Sequence, residues 1–341
     1  MSQVQIPEQM TAVVLELYDG AAALRVVKRP VPTPGPGEVL VKVAASPINP
    51  SDLMFLIGRY GFKKPTPTVP GFEGSGTVVA VGSGAGLMGR YLAGKRVACV
   101  TQQKGDGLWA EYVTTSLNYA LPLDKAVSLE QGAMSVVNPL TAVALIDIAK
   151  KAGHKTIINT AAASALGQML IRLGQQEGVE VIGIVRREAQ VDLLKQQGAA
   201  HVLDSSDPDF ARQLHDICHQ HRVRLAFDAI AGDSPLTLLA AMPSHSKVTV
   251  YGGMSQQAVR LDPTGLIFED KSVDSFWLTP WIGQKSFLQS LFMWRRAQKL
   301  LLTALKTEVR ARYPLSEAQQ AVLDYENQMT GGKVLIVPEQ L

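Results

Sequence analysis

Short apolar runs divided by Pro- and Gly-rich breaks dominate the first third of the chain. Ala12–Leu17, Val39–Val43, Gly76–Val81 and Arg96–Val100 are rich in Val, Leu and Ala, and clusters such as Arg29 to Gly37 separate them. Runs of this length, bounded by turn residues, predict strands. Their spacing predicts a compact, barrel-like β domain with long loops over residues 1–126.

The pattern changes near residue 127. Ser128-Leu129-Glu130-Gln131 fits a capping box, with Ser128 as N-cap and Gln131 reaching back. An Ala-rich helical stretch follows. Strand runs then alternate with helical ones: strands at Thr156–Thr160, Val179–Val185, His201–Leu203, Leu225–Asp228 and Lys247–Tyr251, and helices at Leu166–Gln176 and Ala189–Gln197, the latter stopped by Gly198. Alternation of this kind predicts an α/β unit with a doubly wound parallel sheet over residues 127–270. From Lys271 the pattern mixes again. The closing run Lys333–Val337 is expected to rejoin the first domain, which makes 271–341 a returning segment.

Composition narrows the class. The 341 residues exceed one ordinary core and suit two domains. Apolar residues at 46% and charged ones at 18% give a globular balance. With 33 basic against 30 acidic residues the net charge of +3 is too even to argue for nucleic acid or an acidic membrane as partner. Cys99 and Cys218 form no disulfide framework, which points to a reducing compartment. Met1 to Gln9 carries Glu8 and no basic residue, unlike a signal or transit peptide, and no apolar stretch reaches spanning length. The expected location is the cytoplasm.

The first chemical signal lies after the strand at Thr156. Ile157-Ile158-Asn159 leads into Thr160-Ala161-Ala162-Ala163-Ser164-Ala165-Leu166-Gly167 and then a helix. Backbone amides in such a small-residue turn, together with the helix N-terminus, suit a pyrophosphate. The usual three glycines would fall at Ala162, Ser164 and Gly167, and only the last is glycine. Small residues before a helix also occur in many α/β proteins. The end of the second strand sharpens the picture. An NAD site places a carboxylate there for the ribose hydroxyls, whereas this chain has Arg186 and Arg187. Guanidinium forks match a phosphate dianion, so the pair suits the 2′-phosphate of NADPH. The competing reading is a solvated strand end.

Against these residues the chain resembles the medium-chain dehydrogenase/reductase superfamily over nearly its whole length. Pro36 to Val43 and Pro70-Gly71-Phe72-Glu73-Gly74-Ser75-Gly76-Thr77-Val78 match segments of that family's catalytic domain. Ser46 to Asp52, Val137 to Ala142, Tyr251 to Met254 and Phe276 to Trp281 resemble its quinone reductase and trans-2-enoyl thioester reductase branches, the enoyl reductases more than the plain quinone reductases. The resemblance implies a GroES-like β-rich catalytic domain, a Rossmann nucleotide-binding domain and a homodimer. Zinc-dependent relatives carry Cys and His where this chain has Asn49 and Phe72, neither a zinc ligand of that kind. The expectation is therefore no metal. His215, Cys218, His219 and His221 show ligand-like spacing on a helix, but no carboxylate or second cysteine completes the set, and an exposed helix is the blander account.

Chemistry without a catalytic metal favours an electrophilic alkene or quinone as the small-molecule substrate. Hydride added to the β-carbon of an activated double bond builds charge on the conjugated oxygen and leaves the α-carbon needing a proton. The segment Leu56 to Gly61 resembles the one that carries the active-site tyrosine of enoyl thioester reductases, which makes Tyr60 the expected proton donor. A phenol with a pKa of about 10 remains protonated at neutral pH. A Tyr that packs in a loop is the alternative. Asn49 is expected to fix the tyrosine or the substrate carbonyl, or else to form a turn before Pro50. Thr141, Ala231, Tyr251, Gly252, Gly253 and Lys333 are expected near the cofactor; the competing readings are a helix-start hydroxyl for Thr141, a simple turn for Tyr251 to Gly253 and an exposed lysine at 333. Trp277 and Trp281 are expected to line an apolar channel or to pack in the core. Three functions stay open: NADPH-dependent enoyl or enone reduction, NADPH:quinone reduction, and NADPH binding without turnover.

Overall fold

The computed structural model describes residues 5–101 and 103–338, and every site residue named above falls within them. The chain divides into two compact units, Met1–Val137 with Lys306–Leu341, and Asn138–Leu305.

The sheet of the first unit runs in the order Val309–Tyr313, Lys333–Ile336, Glu38–Pro47, Glu73–Val81, Arg96–Val100 and Ala120–Pro122, with Tyr112–Ser116 also paired to Glu38–Pro47. Only Val309–Tyr313 and Lys333–Ile336 pair in parallel; the remaining pairs are antiparallel. Gln9–Leu15 and Leu24–Pro30 form a separate antiparallel pair. Glu38–Pro47 is apolar on both faces because both are covered. Val39, Val41 and Val43 pack with Val97 and Cys99, whereas Leu40 belongs to a second cluster with Phe55, Trp109 and Ile336.

The second unit holds six parallel strands in the order Val202–Asp204, Glu180–Val185, Thr156–Asn159, Leu225–Asp228, Lys247–Val250 and Ser272–Ser275. Ile158, Ile182, Ala226 and Val248 supply the sheet side of its core, and Leu214, Cys218 and Leu238 come from helices. The interior position of Cys218 removes it from any ligand set on that helix face.

Three expectations need correction. Ser128 caps its helix by accepting the Gln131 amide at 3.1 Å, but the Gln131 side chain turns away from the box. It donates to the Thr307 carbonyl at 2.6 Å and accepts the Thr307 amide at 3.2 Å. The second unit begins at Asn138 rather than 127, so the capped helix Leu129–Ala133 belongs to the β-rich unit. The return falls at Lys306, not 271. Ser272–Ser275 extends the parallel sheet, with the Thr249 hydroxyl donating to Asp274 at 2.6 Å. Arg296 then ties the following helix, Phe287–Leu300, to Asp147 and Glu177. Ser-Val-Asp-Ser has no apolar run, which hid this strand in the sequence pattern. Among the described residues, no helix is long and apolar enough to cross a membrane.

Candidate active site

The loop from Thr160 to Gly167 sits between the strand Thr156–Asn159 and the helix Ala165–Glu177. Ala161 takes a positive φ of 49°, and the Ala162 amide is held by the Ile184 carbonyl at 3.1 Å. Ala162 and Ala163 are buried. Ser164 is the N-cap, and its Oγ accepts the Gly167 amide at 3.1 Å. Its hydroxyl thus organises the helix start. Gly167 is required here, since a Cβ would lie 2.4 Å from the Ala162 carbonyl oxygen. Ala165 and Leu166 fill the first helical turn, where amides lack intrahelical acceptors. A glycine-poor loop can therefore still present donors at a helix N-terminus.

A buried carboxylate supports this loop from behind. The Asp228 side chain accepts from Thr160 Oγ1 at 2.7 Å, Ser234 Oγ at 2.6 Å and the Ala231 amide at 2.7 Å. The Thr160 Oγ1 also accepts the Ala229 amide at 2.9 Å. The network fixes Ala231 at a φ of 64°. Tyr251 follows the strand Lys247–Val250, and its hydroxyl donates to Asn159 Oδ1 at 2.9 Å. Burial, then the Asp228 carboxylate, pushes that phenol well above its ordinary range. Tyr251 therefore acts through packing beside the loop, with its hydroxyl committed inward. A Cβ on Gly252 would come 2.7 Å from the Ala229 carbonyl oxygen, whereas Gly253 faces open space.

Arg186 and Arg187 close the strand Glu180–Val185, and both are exposed. The Arg186 amide donates to Gln190 Oε1 at 3.1 Å, and Arg187 is the N-cap of helix Glu188–Gln196. Among the described residues neither guanidinium has a carboxylate partner within ion-pair distance. Thr141 is buried in the second turn of helix Val137–Lys151, not at its start. Trp277 is 39% exposed ahead of the short helix Leu278–Gly283. Trp281 lies 6.0 Å from Phe276 and carries the Lys285 ammonium 3.8 Å over its ring.

The first unit hides a second polar network that composition did not reveal. Asn49 Nδ2 donates to Glu73 Oε1 at 3.0 Å, and Asn49 Oδ1 accepts from Lys333 Nζ. Lys333 also donates to the Ile48 carbonyl at 3.1 Å. Glu73 Oε2 accepts the amides of Val136 and Val137 at 3.0 and 2.9 Å. Asp52 takes the Asn49 amide at 2.8 Å and the Phe72 amide at 3.1 Å. All four side chains are fully or almost fully buried. Burial raises the Asp52 carboxyl to about 7, against the lowering pull of the Asn49 amide and the Lys333 charge. Burial likewise raises Glu73 and lowers Lys333 to about 8. Asn49 thus ties Glu73 to Lys333 inside this unit, and the Lys333 ammonium is held by Asn49 and the Ile48 carbonyl. Pro50 opens the helix Pro50–Leu56 with Asn49 as its N-cap, so this Asn marks a helix start rather than a turn.

Tyr60 lies on the surface side of an aromatic cluster. Its ring sits 4.5 Å from that of Phe72, tilted 33°, and 5.1 Å edge-on from Phe62. Phe72, where zinc-dependent relatives keep a ligand, is thus a packing platform. The phosphate-loop motif and the arginine pair were visible in the sequence. Thr160, Asp228 and Asp52 were missed. The detectable signal was charge in apolar company: Asp228 ends an all-buried strand, and Asp52 stands three residues beyond Asn49 in a capping position.

Comparison with known proteins agrees with this two-unit fold. The alcohol dehydrogenase GroES-like domain family matches residues 35–125, and the zinc-binding dehydrogenase family matches residues 165–292. The mitochondrial enoyl-[acyl-carrier-protein] reductase of Caenorhabditis elegans is 33% identical over 260 residues, covering 74% of this chain and 72% of that enzyme. A crystal structure from Mesorhizobium loti, named a "putative NADPH:quinone reductase", superposes with a TM-score of 0.90 at 36% identity, covering 98% of this chain and all (100%) of that one. A mycobacterial protein solved in complex with NADPH gives a TM-score of 0.86 at 26% identity, covering 96% of this chain and 100% of that one.

Proposed function

Because this chain belongs to the medium-chain dehydrogenase/reductase superfamily, in its zinc-independent reductase branch, we propose that it uses NADPH to reduce the activated carbon–carbon double bond of a 2-enoyl thioester or enone. The observation that carries the cofactor choice is the pair of exposed, unpaired guanidiniums at Arg186 and Arg187. They stand where a ribose-binding carboxylate would select NADH. The residues fit the group: the Ala165 and Leu166 amides would hold the pyrophosphate, the arginines the 2′-phosphate, and the open face at Gly253 would admit backbone approach.

Bound there, NADPH would supply hydride to the β-carbon. The Tyr60 hydroxyl would give its proton to the α-carbon and recover one from solvent. Trp277 and Trp281 would offer apolar contact to an acyl chain. Asn49, Glu73 and Lys333 would hold the catalytic unit's interior without touching the reacting atoms. Similarity to enoyl-[acyl-carrier-protein] reductases supports the alkene substrate. A quinone is the second reading, favoured by the 36% identity to the Mesorhizobium protein. Hydride transfer leaves a hydroquinone monoanion, whose oxygen takes one proton from water and would not need Tyr60.

The test is a turnover panel of 2-enoyl thioesters, enones and quinones with each nicotinamide cofactor. The proposal expects NADPH oxidation with an enoyl substrate. Better turnover with NADH would overturn the cofactor assignment, and tight NADPH binding with no turnover across the panel would favour a non-catalytic binder.

A further inference from the structure

Outside the phosphate loop, the second unit brings two imidazoles and a carboxylate to one point. Glu180 opens the strand Glu180–Val185, His201 precedes Val202–Asp204, and His221 ends the helix Phe210–Gln220. His201 Nε2 lies 3.4 Å from Glu180 Oε1, and His221 Nδ1 lies 3.3 Å from Glu180 Oε2. One ligand atom from each of the three residues falls within 4.8 Å of the other two. The imidazole rings stand edge to face at 4.7 Å. The alternative dyad, His215 and His219, four residues apart on the exposed face of that helix, merely stacks at 4.2 Å.

We propose that Glu180, His201 and His221 form a binding site for a divalent transition cation of the zinc class. Ligand distances of about 2.0–2.2 Å in a tetrahedral site give donor–donor edges of about 3.3–3.6 Å. His201 and His221 approach opposite oxygens of Glu180 at 3.4 and 3.3 Å, so one carboxylate oxygen would have to turn between the two rings to complete the set. Two imidazoles with one carboxylate form a donor set that selects Zn²⁺ and its neighbours over Ca²⁺ or Mg²⁺. Three protein ligands leave a position for water. Thr156 Oγ1 donates to Glu180 Oε2 at 3.3 Å, orienting the carboxylate from the adjacent strand. The C-terminal end of helix Phe210–Gln220 adds the negative pole of its dipole beside His221. His221 Nε2 is buried without a protein partner, so Nδ1 is the nitrogen through which that ring makes its polar contact.

The site is separate from the proposed chemistry. Glu180 starts the strand that Arg186 follows, and six residues of extended chain span about 20 Å. A cation there would tie together three chain segments that are otherwise joined only through the sheet and its helices. It would raise the stability of the nucleotide unit by binding its folded form alone.

The experiment uses the full chain without a polyhistidine tag, stripped with EDTA and titrated calorimetrically with ZnSO4. The expected result is one equivalent bound and a Tm that rises with Zn²⁺. His201→Ala and Glu180→Gln should each weaken binding at least tenfold and abolish the Tm rise. His201 is about a third exposed, so its variant keeps the core intact. The double variant His215→Ala/His219→Ala should bind as the parent does. Absence of stoichiometric binding, unchanged binding by His201→Ala, or loss of binding in the His215/His219 variant would each overturn the proposal.

Discussion

The Thr160 hydroxyl donates to the Asp228 carboxylate across 2.7 Å, joining the ends of two adjacent parallel strands directly beneath the phosphate loop. The same oxygen accepts the Ala229 amide, so one side chain serves both strand ends. Thr160→Val keeps the shape and deletes the hydroxyl. It should cost about 1–3 kcal/mol, because it leaves a buried amide and part of a carboxylate unsatisfied. Thr160→Ser should recover most of that. Urea denaturation compares the three proteins, and equal midpoints would show that the bond contributes nothing.

Gly167 and Gly253 offer a contrast within one unit. Gly167→Ala drives a Cβ against a backbone oxygen and should destabilise by about 1–3 kcal/mol. Gly253→Ala meets no atom within 4 Å and should leave the denaturation midpoint nearly unchanged. Its effect should appear in the KM for NADPH instead, where the added methyl meets the cofactor. A parent-like KM would remove Gly253 from the binding surface.

Arg186→Ala and Arg187→Ala, alone or together, should raise the NADPH KM by about 10- to 100-fold, the equivalent of about 1.5–3 kcal/mol for a lost charge-assisted contact. The NADH KM should stay within about twofold on the same argument. Both side chains are exposed, so the Tm should not move. Steady-state kinetics with the two cofactors decides it; a parallel loss with both would mean that the arginines do not read the 2′-phosphate.

Tyr60→Phe keeps the ring that packs on Phe72 and Phe62, so folding should be undisturbed. Enoyl reduction should fall about 10²- to 10⁴-fold, the usual contribution of a placed proton donor. Quinone reduction should change little. Undiminished enoyl turnover would place the proton source elsewhere.

Asp52 predicts a pH signature in stability. Its carboxyl is held at about 7 against an ordinary 3.8, so the fold prefers the protonated form. Stability from that preference is complete below the unfolded value and is lost as pH rises through the folded one. Asp52→Asn cannot ionise. The Tm of the variant relative to the parent should therefore increase from about pH 4.5 to about pH 8. A difference that stays constant over this range would show that the Asp52 carboxyl is not shifted.

Much of the architecture could be read from residue order because both units follow simple periodic rules. Arg96–Val100 and Leu225–Asp228 coincide with their expected runs, and the helix expected over Leu166–Gln176 is found at Ala165–Glu177. Ser272–Ser275 escaped because an edge strand needs backbone partners more than apolar side chains. Site residues divide in the same way. Arg186 and Ser164 act through local chain geometry, which sequence displays. Glu73 with Lys333, Thr160 with Asp228, and Glu180 with His221 depend on residues 41 to 260 positions apart, meeting only after the sheets form. The histidine motif on helix Phe210–Gln220 shows the difference: its expected partners share the helix, while the carboxylate beside His221 comes from another strand.

The amide of Asn49, held at both ends by Glu73 and Lys333, bears on any attempt to convert this scaffold to metal-based alcohol chemistry. Installing Cys at 49 and His at 72 would remove the bridge between two interior charges and the floor of an aromatic stack before any metal arrived. The newcomer would have to bind tightly enough to rescue a damaged interior, so a functional transplant would require redesigning Glu73 and Lys333 alongside the ligands.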